Sequence, residues 1–191
     1  FYQLSLEQST FYDQVISEYF GEDSAFSGAI YQPSAYLPIP PSKDDDPEEE
    51  DNPAAQVNVQ QRNMYKFIRR LLVRRFESSF GAFAKTLDNL IRVHESMQWL
   101  AVPPPLGRGI VVLDRSLMDK LLGLDDASDD EVDDFLRKQE ELAASTATPS
   151  KNRNVQIYRI SDDFDDQGRD RFNQDLKSDI NLLKTVRKEV G

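Results

Sequence analysis

Five basic side chains, Arg62, Lys66, Arg69, Arg70 and Arg74, recur at helical spacing in one short stretch. Projected at about 100° per residue from Met64, they fall between about 140° and 280°, on one side of a helix. Guanidinium and ammonium groups in such a row can follow a phosphate backbone, the first by bidentate pairing and the second as a point charge. Between residues 60 and 100, eight basic residues outnumber three acids, so this stretch carries +5 while the rest of the chain carries -16. The row is therefore a candidate contact for DNA or RNA. The alternatives are a face that pairs with the chain's own acidic segments and a face left to solvent.

Arg75 falls elsewhere, at about 20°, inside the apolar stripe of the same helix, with Ser78 and Ser79 three and four residues on. A bare buried charge is very costly, so this arginine must be paired or reach solvent. Arg75, Ser78 and Ser79 are expected to form a buried polar group, with a carboxylate partner from the C-terminal helix or the acids of 162–166.

Other chemistry is scarce. The chain has one histidine and no cysteine, which excludes disulfides, thiolate metal sites and a His-rich zinc site. His94, at about 120°, borders the apolar stripe and reads as a packed histidine rather than a base. No phosphate-binding loop, dinucleotide turn, nucleophile elbow or calcium loop is present. Seven acids between residues 44 and 51 lie within a segment, 38–53, that holds five prolines; adjacent flexible carboxylates do not hold metal geometry, so a solvated linker over 38–53 is expected. No catalytic set, metal or cofactor is expected within these residues.

The elements that position the basic row are mostly helical. Residues 1–20 read as an amphipathic helix, opened by a capping box at Ser5 and Gln8. The aromatic segment 25–37 reads as irregular. Residues 57–100 contain no proline and a single glycine, Gly81. Their apolar positions, Phe67, Ile68, Leu71, Leu72, Phe76, Phe83, Leu90, Val93 and Met97 among them, form one broad stripe, predicting one long helix or two collinear ones broken near Gly81. Beyond the proline run at 103–105, short strands are expected at 109–114 and 155–160. A helix is expected at 115–122, another at 129–144 behind the Ser128–Glu131 capping box, and a polar loop at 145–154. Phe172, Leu176, Ile180, Leu183, Val186 and Val190 predict a helix over 167–190. The fold class expected is mainly α: long amphipathic helices in a bundle, with a small two-stranded β element, forming a single domain over 1–191.

The 191 residues carry a net charge of -11, and no apolar run approaches the roughly 20 residues needed to span a bilayer. A cytoplasmic protein that does not contact membrane is expected. The chain opens at Phe1 without a signal-peptide pattern, and is expected to be a piece of something larger.

The run RRLLVRRFESSFGAFAKTLDNL, residues 69–90, resembles a stretch between the two ATPase lobes of large bacterial superfamily 2 helicases of the Snf2-like kind, some of which carry a phospholipase D-like region. Leu71, Leu72, Arg74, Arg75, Phe76, Glu77, Ser78, Ser79, Ala82, Phe83, Thr86 and Leu87 carry the resemblance. The opening LSLEQSTFYDQVISEYF and YQPSAYL resemble the segment after the first lobe, and DLKSDINLLKTVRKEV resembles the helix before the second. Residues 38–56 and 101–165 match only loosely. The resemblance implies a non-catalytic bracket between the RecA-like lobes of the same polypeptide. ATP and Mg²⁺ would be handled by those lobes, and nucleic acid would be touched through the basic row. A helical protein–protein interaction module is the alternative.

Overall fold

The apolar stretch 57–100 folds as two helices that double back on each other. In this computed structural model, which describes residues 6–38, 53–116, 128–145 and 155–191, α2 (Pro53–Ser78) and α3 (Phe80–Ala101) are separated by Ser79 alone. Ser79 is extended, with φ -167° and ψ 129°, which ends the first helical ladder; its Oγ then accepts from the Ala82 N–H at 3.4 Å and caps the second. Gly81 lies inside α3, where a Cβ would meet the Ser79 Oγ at an ordinary 3.7 Å. A capping serine makes the break, and the glycine does not.

The expected rod is corrected to a hairpin. The Phe26 ring lies 6.3 Å from the Tyr65 ring and 6.0 Å from the His94 ring. A straight rod would hold positions 65 and 94 roughly 43 Å apart. At the turn, Phe76 stacks edge-on against Phe80 and Phe83, at 5.4 and 5.1 Å between centroids. Folding back buries both apolar stripes against one another, a gain that an extended rod forgoes.

α3 is the hub. It packs on α2, on the C-terminal helix, on the strand β1 (Ile110–Asp114) and on α4 (Asp129–Ala144). β1 is buried along its whole length and pairs antiparallel with β2 (Val155–Arg159), Val112 opposite Ile157. A single turn, α5 (Ile160–Asp163), leads to α6 (Asp166–Val190), whose Phe172, Leu176, Ile180, Leu183 and Val186 are buried. The mainly α bundle with a two-stranded sheet is as the sequence predicts. α4 opens with the full capping box, the Ser128 N–H donating to Glu131 Oε2 at 2.7 Å and the Glu131 N–H to Ser128 Oγ at 3.3 Å.

At the N-terminal end, α1 (Leu6–Asp13) continues as a π-helical turn, Gln14–Tyr19, and is followed by two 3₁₀ turns, Ala29–Tyr31 and Pro33–Tyr36. This aromatic segment is a wedge: Phe26 and Tyr31 are fully buried between α2 and α3. Gly28 has φ 61°, and a Cβ there would lie 2.3 Å from the Tyr65 ring, so the wedge needs glycine at that point. The expected capping box at Ser5, the acidic linker within 39–52, most of the helix at 115–122 and the loop at 146–154 lie outside the described residues.

Candidate nucleic-acid interface

Burial on α2 follows a narrow arc. Gln61, Met64, Ile68, Leu72 and Phe76 are buried, spanning about 0° to 120° on the wheel. Lys66, Arg70 and Arg74 point away from that arc and are exposed. None of the three forms an ion pair among the described residues. Arg62 and Arg69 sit just past one edge of the arc and are half-buried.

Arg69 is committed to the fold. Its Nε donates to the Phe20 carbonyl at 3.2 Å, and its guanidinium carbon lies 5.3 Å over the Tyr65 ring. It thereby satisfies a carbonyl just beyond the π-helical turn. The five-residue row is corrected to a three-cation face, Lys66, Arg70 and Arg74, with Arg62 at its margin.

Phe67 is the second correction. It lies about 60° outside the buried arc and is 50% exposed. With Asn63, also exposed, it shares the face that presents Lys66, Arg70 and Arg74. Placing every apolar side chain of the helix in one stripe hid this residue; the signal was its position between two exposed cations.

The expected group is not a buried one. Arg75 is half-buried, and Ser78 and Ser79 are exposed. α2 ends at Ser78, and the exposed Glu77, Ser78 and Ser79 leave this last turn open to solvent. Ser78 Oγ donates to the Arg75 carbonyl at 3.0 Å, and Ser79 is the cap already described.

The buried polar chemistry lies instead between α3, α6 and the wedge. Asp179 is fully buried and accepts from the Ser27 N–H at 2.7 Å, from Ser27 Oγ at 2.9 Å and from the Ala29 N–H at 3.1 Å. Burial pushes its carboxyl up to about 6, against the pull of those donors. His94, also fully buried, is pushed down to about 4 by desolvation, and Nδ1 lies 2.7 Å from the Leu90 carbonyl, to which it donates as the neutral imidazole. Its ring meets Tyr31 edge-on at 5.5 Å. Asp179 sits three residues after Leu176 and four before Leu183, an acid in the apolar stripe of α6 that the sequence reading passed over. The group clamps the wedge to both helices; Asp179 and His94 are fully buried and Ser27 is half-buried.

A groove of about 490 Å³ opens where the end of α3 meets α6, lined by Glu95, Trp99, Val102, Pro103, Leu176 and Lys177 among others. Trp99 is 45% exposed, and Leu106, in the turn that follows, is 76% exposed. Glu95 is paired across the groove edge with Lys184 at 2.7 Å.

Among the described residues no cluster of three or more acids and histidines could hold a metal ion, and no helix is long and apolar enough to cross a membrane. Comparison with protein-family models, curated proteins and solved structures finds no match to this chain.

Proposed function

We propose that this chain is the helical region between the two RecA-like lobes of an ATP-dependent bacterial helicase or translocase. In this reading it is a cytoplasmic, non-catalytic bracket that meets nucleic acid through α2. The observation that carries the contact is the face of Lys66, Arg70 and Arg74: three exposed cations, unpaired among the described residues, on a chain of net charge -11. Abundant acid would neutralise a purely structural row, as Asp129 and Asp133 do for Arg92 and Asp88 does for Arg187. A row left unpaired among the described residues of such a chain suits a polyanion from outside it. The resemblance of residues 69–90 to the inter-lobe segment of Snf2-like helicases supplies the rest of the reading. ATP, Mg²⁺ and the hydrolytic residues then belong to the lobes of the same polypeptide.

The test is the sequence encoded on either side of this chain in its gene. A phosphate-binding loop upstream and the second-lobe motifs downstream support the reading; flanks with neither refute it. A protein–protein interaction module is the second reading, favoured by the groove beside Trp99 and the exposed Leu106. It predicts that Trp99→Ala, rather than charge reversal on α2, abolishes the chain's association with its partners.

A further inference from the structure

We infer that the α2 face is built for single-stranded nucleic acid in preference to duplex, with Phe67 as a platform on which an unpaired base stacks. The inference rests on the nucleic-acid contact proposed above and narrows it. Asn63, Lys66, Phe67, Arg70 and Arg74 follow one another at steps of three, one, three and four residues, and all five are exposed. Lys66, Arg70 and Arg74 succeed one another by about 6 Å along the axis, comparable to adjacent phosphates on an extended strand. Phe67 is half-exposed beside them.

An aromatic ring among cations is the combination that single-strand binders use: the cations track the backbone, while the ring takes bases of any sequence because each has a π-face. A duplex offers such a helix only phosphates and groove edges. Its bases are already stacked, and a phenyl ring has no donor or acceptor with which to read an edge. Asn63, Lys66, Arg70 and Arg74 could each meet a groove edge or a phosphate, so the ring of Phe67 is the side chain on this face that favours an unpaired base. Among the described residues Phe67 is not packed against the core cluster, because it lies outside the buried arc.

Fluorescence anisotropy with oligonucleotides of about 15 residues, dT and U as separate probes, against a duplex of the same length tests this on the whole 191-residue chain at low salt. Phe67→Ala removes a half-exposed ring and improves helix propensity, so it folds; a circular-dichroism melt checks this. The expected result is at least fivefold weaker binding of both single strands, for a stacked base worth about 1–3 kcal/mol, with duplex binding unchanged and Phe67→Trp restoring affinity. Charge reversal at Lys66, Arg70 and Arg74 should abolish binding to every probe. If the reversal abolishes binding but Phe67→Ala leaves single-strand affinity intact, or weakens duplex equally, the single-strand inference is overturned and the nucleic-acid contact stands. If the wild-type chain binds no probe, both are overturned.

Discussion

Two buried groups that titrate in opposite directions make the stability of this fold testable against pH. His94 is neutral in the core, with its pKa lowered from 6.5 to about 4. The unfolded chain therefore takes up a proton as pH falls below about 6.5, while the native state takes it up only near 4. That difference costs about 3 kcal/mol of stability by pH 4. Asp179 has the opposite sign. Its pKa is raised from 3.8 to about 6, so the native carboxyl holds its proton after the unfolded one has lost it, and stability falls by about 2 kcal/mol as pH rises from 4 to 7. In the wild type the two largely cancel between pH 4 and 7. Removing either group exposes the other. Urea denaturation of His94→Leu, Asp179→Asn and wild type at pH 4, 5, 6 and 7 reads this directly, because differences between profiles cancel the remaining carboxylates. Relative to wild type, His94→Leu should gain about 3 kcal/mol on going from pH 7 to pH 4, and Asp179→Asn should lose about 2 kcal/mol over the same interval. Profiles parallel to wild type for both variants would refute the placement of these groups in the core.

Asp179→Ala should cost about 3–5 kcal/mol at neutral pH, because it leaves the Ser27 and Ala29 N–H groups without their carboxylate, and Asp179→Asn should cost less; chemical denaturation separates them. Gln61→Leu should cost about 2–4 kcal/mol in the same assay, since the buried amide accepts from the Ser34 N–H at 2.9 Å and donates to the Tyr158 hydroxyl at 2.6 Å. Gly168→Ala should lower the melting temperature, with a cost of about 1–3 kcal/mol, because its Cβ would lie 2.1 Å from the Tyr36 carbonyl oxygen. Calorimetry of the chain with ATP and Mg²⁺ should show no micromolar site, as no phosphate-binding loop is present.

Strong local signals carried over from sequence to structure almost unchanged. The Ser128–Glu131 box opens α4, and the apolar repeat from Phe172 to Val186 is the buried side of α6. The hairpin was not legible, because a Ser79 cap and a mid-helix serine look alike until tertiary burial rewards the turn. Arg75 lies on the apolar side of the wheel but in the last turn of α2, where a wheel does not show how far the core extends along the helix, and it is half-buried. The basic row was legible as a row, but a wheel shows direction and not neighbours: only the packing of Phe20 and Tyr65 around Arg69 reveals that this cation is used internally. Asp179 needed the wedge, which approaches α6 from some 150 residues away in sequence.

The salt dependence of nucleic-acid binding tests the central claim most directly. Oligonucleotide affinity of the wild-type chain and of a variant carrying Lys66→Gln, Arg70→Gln and Arg74→Gln should be measured across a salt series. At about 0.7 per phosphate on a single strand, three lost contacts should make the slope of log K against log salt shallower by about 2. An unchanged affinity and slope, with a lowered melting temperature instead, would contradict the account and return these cations to an intramolecular role.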